Sequence, residues 1–176
     1  EGDFFGAIYQ QLWSATWNGG IPANIQVADF SLQGVARERL RQNWLLGESK
    51  RREVYLNALL VKRANPRQPE AHYLHTRILQ DPIEQRDTFL GLAKRFPNNL
   101  WILLGCSASQ YSLGEIILAR KYFHRARQAL FNRPMEPVEA FLSSLELRLW
   151  PSPELWQKVF LQACRSGNPE LFHALS

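Results

Sequence analysis

One short pattern recurs at a nearly fixed interval. Phe89-x-x-Leu92, Phe123-x-x-Ala126 and Phe160-x-x-Ala163 each place an aromatic three residues before a small or apolar one. The first two copies lie 34 residues apart and the third follows after 37. The extra three residues fall in the stretch Asn132-Arg133-Pro134-Met135. A period near 34 on segments of helical patterning belongs to stacked helix–turn–helix units, each burying its apolar face on the next. An all-α chain is expected.

Helix boundaries follow from punctuation. Phe4, Phe5, Ile8, Leu12 and Trp13 make residues 3–17 an amphipathic helix, closed by Gly19, Gly20 and Pro22. Residues 18–30 have no helical period and read as a linker. A helix over 31–46 starts at Ser31 as cap, with Gly47 expected in the left-handed turn that ends it. Ser49 is expected to cap the next, 50–64, which stops before Pro66. Pro69, Pro82, Pro137, Pro153 and Pro169 sit where first helical turns begin, where a missing N–H costs nothing. Helices are expected over 69–80, 82–96, 99–111, 115–132, 137–149, 153–165 and 169–175.

Pro97, then Trp101-x-x-Leu104-Gly105, then Ala119-x3-Phe123-x2-Ala126 resemble the tetratricopeptide repeat, with its W-x2-L-G on helix A and A-x3-F-x2-A on helix B. The match covers 97–134 best and extends over 69–165. Trp101 to Ala119 is two residues longer than the family spacing. Gln85 stands where alanine is usual, and so does Trp156. The resemblance implies a right-handed helical-hairpin solenoid of about nine to ten helices. Its parts would be an N-terminal helix and linker (1–30), an irregular helical pair (31–66), and repeats with a terminal helix (67–176). It also implies a groove lined by outward-facing helix A residues: His72, His75, Thr76, Ser107, Gln110, Tyr111, Ser143 and Glu146. The lysine and asparagine clamp that holds a C-terminal carboxylate in some members is missing. The segment 3–17 either caps the solenoid or leads from another part of a longer protein, and a chain starting at Glu1 reads as a piece of one.

Composition narrows the function classes. At 176 residues and 45% hydrophobic, the chain can bury a continuous core. No run of apolar residues reaches spanning length, and no positively charged stretch precedes an apolar one, so no secretory signal is expected. Cys106 and Cys164 lie on apolar stripes and read as small buried hydrophobes. Trp101 and Trp156 read as core wedges. His72 and His75 share a helix face, but no neighbouring segment completes a metal set by pattern. No phosphate loop, nucleophile elbow or H-E-x-x-H appears. Carboxylates pair with arginines, as Glu38 with Arg41 and Asp87 with Arg86. No catalytic residue, metal or cofactor is expected.

The net charge is +5. Arg37, Arg39 and Arg41 cluster with Lys50, Arg51 and Arg52, and Arg120, Lys121, Arg125 and Arg127 form a second group. These groups suit nucleic acid, anionic lipid or an acidic protein, or are simply solvated helix faces, which interspersed acids favour. The expected function is a non-enzymatic protein–protein interaction scaffold that binds another protein or a peptide segment. A bacterial membrane-associated assembly or secretion component fits, cytoplasmic or tethered to the inner membrane through upstream sequence. The alternative is a helical-repeat nucleic-acid binder.

Overall fold

The computed structural model describes residues 29–130 and 136–176. The expected N-terminal helix, most of the linker and the 132–135 loop lie outside these. The described residues form nine helices and no strand: α1 (Leu32–Gly47), α2 (Arg51–Ala64), α3 (Pro69–Thr76), α4 (Pro82–Arg95), α5 (Leu100–Ser112), α6 (Ile116–Ala129), α7 (Glu136–Leu149), α8 (Pro153–Ser166) and α9 (Pro169–Leu175).

Local chemistry sets the helix starts. Ser31 Oγ accepts from Gly34 N at 3.1 Å and Asp81 Oδ1 from Ile83 N at 2.8 Å. Asn99 Oδ1 accepts from Ile102 N at 3.1 Å, Ser152 Oγ from Leu155 N at 3.1 Å, and Asn168 Oδ1 from Glu170 N at 2.9 Å. Each satisfies an amide with no partner inside its helix. Two ends differ from expectation. The left-handed residue after α1 is Ser49 (φ 59°), and Lys50 is the cap of α2. The third helix stops at Thr76, four residues early. There the Gln85 amide donates to the carbonyls of Arg77 (2.9 Å) and Thr76 (3.3 Å). The Gln85 side chain thereby closes this turn.

The chain divides into two compact units, one holding α1–α6 and the other α7–α9. In the first, consecutive helices pack against each other, and α1 also meets α3, as α3 meets α5. The pair 31–66 therefore packs onto α3. Gln42 donates to Leu74 O (3.1 Å), and Arg77 donates to Gln42 Oε1 (2.7 Å) and Asn43 Oδ1 (2.5 Å). Helix α5 is enclosed by α3, α4 and α6, and every residue from Leu100 to Ser107 is buried. Trp101, Leu104, Ala119, Phe123 and Ala126 are all at most 1% exposed. Tyr73 brings α3 to this core, its ring 5.2 Å from Trp101 and 6.0 Å from Phe89.

In the second unit α7 packs on α8 and α9, and α9 on α8. Its core is Leu147, Val159, Ala163, Leu171 and Phe172. Gly167, with φ 63°, ends α8. Two expectations fail here. Trp156 is 41% exposed and stacks on Phe160 at 5.4 Å instead of filling a wedge. Cys164 is exposed. Helix α8 has more apolar residues than one face can hold, and Val159 with Ala163 turns inward in their place.

Candidate partner-binding surface

The expected groove residues separate by burial. His72, Tyr111 and Glu146 are half-buried and within reach of a partner. His75 (6% exposed), Thr76 (1%), Ser107 (0%), Gln110 (2%) and Ser143 (8%) do not face outward as expected. The reason is the crowding of these helices. Ser107 Oγ donates to Ala119 O at 2.8 Å, so this short polar side chain serves the α5–α6 contact. The Thr76 carbonyl takes part in the Gln85 turn.

His75 is held between α2 and α3. Lys62 Nζ lies 3.1 Å from its Nδ1, and the Tyr55 ring lies 5.3 Å away. An ammonium can only donate, so Nδ1 accepts and the ring proton sits on Nε2, which is buried without a partner. Burial, then the Lys62 charge and His72, pushes the His75 pKa down to about 4. Burial also lowers that of Lys62. His72 turns the other way, its Nε2 2.9 Å from Pro66 O. Among the described residues, no three or more His, Cys, Asp or Glu side chains are grouped so as to hold a metal ion.

The two arginine clusters do not behave alike. Arg39 and Arg41 are buried, contrary to both a solvated face and a basic patch. Arg41 makes two bonds to Glu38, at 2.6 and 2.7 Å, and Arg39 lies 5.7 Å over the Trp101 ring. In the second cluster Lys121 and Arg127 are exposed, Arg120 is half-buried, and Arg125 donates to Pro97 O at 2.9 Å beside the Tyr122 ring. Burial of Cys106 pushes its thiol up to about 12, so it is chemically inert.

Two concavities were not anticipated from sequence. One, of about 790 Å³, lies in the α7–α9 unit, lined by Ala140, Leu161 and Leu171 together with Glu139, Lys158 and Arg165 among others. The other, of about 680 Å³, lies between α2 and the α3–α4 turn, lined by Arg51, Arg52, Tyr55, Ile78, Leu79 and Glu84 among others. Their sequence signal is an apolar residue left over on each helix: Tyr55 on α2 and Leu161 on α8 remain exposed after the helix has buried one face.

No family model, curated protein or solved structure matches this chain. Among the described residues, no helix is long and apolar enough to cross a membrane.

Proposed function

We propose that the chain is a protein-interaction scaffold, built as a helical-hairpin solenoid of the tetratricopeptide type. The observation that carries this reading is the alternation of neighbours in α1–α6. Helices α1, α3 and α5 touch in turn, and α2, α4 and α6 each pack on the helix before them. The close approach of Gly105 to the Phe89 ring supports it, since that is where the repeat needs a small residue. A preformed helical surface binds with little ordering cost on the receptor side.

The partner is a protein segment that contacts His72 and Tyr111 on the α3–α5 row. The groove of the α7–α9 unit, lined by apolar side chains and charges of both signs, would take an apolar anchor. The test has two steps: capture of the partner on the immobilised chain, then titration of the purified partner against variants. Tyr111→Asp and His72→Asp are expected to weaken binding by more than about tenfold. Reversing Lys121 and Arg127 to glutamate should change mainly on-rate and salt dependence, as rim charges do. If the arginine and lysine reversal abolishes binding while both row variants bind normally, the interface is the outer basic face of α6 and this reading fails.

A further inference from the structure

The net charge of this chain is concentrated in one place. Residues 50–68 contain six of the 21 Lys and Arg residues and one of the 16 Asp and Glu residues. That stretch carries the whole net charge of +5, because the remaining residues of each sign cancel. It is α2 with its two flanks. Lys50, Arg51 and Arg52 stand exposed at one end and Arg63 and Arg67 at the other, while Lys62 is engaged with His75. Among the described residues, no ion pair involves Lys50, Arg52, Arg63 or Arg67.

Between these cationic ends the outer side of the helix is apolar. Tyr55, Leu56 and Leu60 are 38, 47 and 56% exposed, whereas Val54, Ala58 and Val61 face the core. Leu56 and Leu60 stand one turn apart, and the concavity beside Tyr55 does not include them. The acids nearby are Glu48 and Glu53 at the helix start, with Asp81 and Glu84 across the groove from Arg51 and Arg52. Asp81 is already engaged in capping α4. No acidic residue occurs between Glu53 and Glu70.

We infer that the outer face of α2 docks on an anionic membrane surface. Leu56 and Leu60 enter the acyl boundary, Tyr55 sits at headgroup depth, and the arginines contact lipid phosphates. A protein partner fits this face less well. Protein hot spots are side chains seated in desolvated pockets, and two leucines on the crown of a helix offer none. A bilayer needs only apolar area and opposite charge. The inference does not depend on the protein-binding reading.

The test is sedimentation of the full chain with vesicles of phosphatidylglycerol and phosphatidylcholine in equal parts, compared with phosphatidylcholine alone. Binding is expected on the anionic vesicles only. It should fall by about tenfold or more as salt rises from about 0.05 M to about 0.5 M, where screening becomes short-ranged. Leu56→Asp with Leu60→Asp should abolish it. Arg52→Glu with Arg63→Glu should weaken it by about tenfold or more, because each replaces an attraction to the anionic surface with a repulsion. Lys121→Glu with Arg127→Glu on α6 changes the net charge equally and should leave binding within about twofold, because those charges lie outside the contact. All six positions are exposed, so circular dichroism and melting should match the parent. Absence of sedimentation on anionic vesicles at low salt overturns the inference. So does equal binding to phosphatidylcholine, unchanged binding of the leucine variant, or an α6 pair as harmful as the α2 pair.

Discussion

A side chain at position 105 would place its Cβ 2.3 Å from the Phe89 ring. That ring is 2% exposed and packed against Tyr73, so it cannot swing aside. Gly105→Ala should therefore destabilise the protein by about 1–3 kcal/mol, the range for overpacking a filled core. Phe89→Leu in the same background should restore part of the loss. Urea unfolding midpoints decide it, and a Gly105→Ala variant within a few tenths of the parent would mean that α4 and α5 are not in close approach. The polar residues of this core follow the same logic. Glu38 and Arg41 are tolerated inside because each satisfies the other through two bonds.

The end of α1 shows how an element is closed by its geometry and not by its composition. Lys50 N bonds to Leu45 O at 2.9 Å and Ser49 N to Leu46 O at 3.2 Å. This is the bond pair of a Schellman motif, and it places Ser49 at the left-handed position. Gly47 remains helical, with nothing within 4 Å of where its Cβ would stand. Gly47→Ala should then stabilise by about 0.5–1 kcal/mol, the helix-propensity difference. Ser49→Gly should also stabilise, by roughly a few tenths to 1 kcal/mol, since glycine adopts positive φ without a Cβ penalty. Thermal melting of both variants is the check. Loss of stability in Gly47→Ala would put the left-handed residue at position 47, as the sequence alone suggests.

Stability of the whole molecule should carry the signature of His75. Its folded pKa of about 4 lies below the ordinary imidazole value of 6.5. Between those values the unfolded chain binds the proton and the folded chain does not, so unfolding is favoured as pH falls. The His75 contribution is complete above about pH 6.5 and is lost as pH drops through about 4, on the order of 2–3 kcal/mol. Denaturant midpoints measured across that window should slope less steeply in His75→Gln than in the parent. Equal slopes would mean that His75 is solvated. The charge distribution also belongs to this scale, because +5 spread evenly would attract nothing in particular, whereas the same charge on α2 creates a local field.

Much of the helical layout was legible from proline and cap positions. Pro82, Pro153, Asn168 and Ser31 act through the first turn of their own helices, and local chemistry of that kind needs no tertiary context. The burial of Trp101, Phe123 and Ala126 was legible too, because periodicity marks a face. Which of two competing faces turns inward was not. Trp156 and Phe160 compete with Val159 and Ala163 on α8, and Tyr55 and Leu56 with Val54 and Ala58 on α2, and periodicity rates both members of each pair as apolar. The candidate groove fared worse for the same reason. Polar residues such as Ser107 and His75 read as solvent-facing, yet their partners, Ala119 O and Lys62, lie on other helices. The sequence determined where helices start and what periodic face each has. Only packing decided which side is covered, because that depends on the neighbour and not on the helix itself.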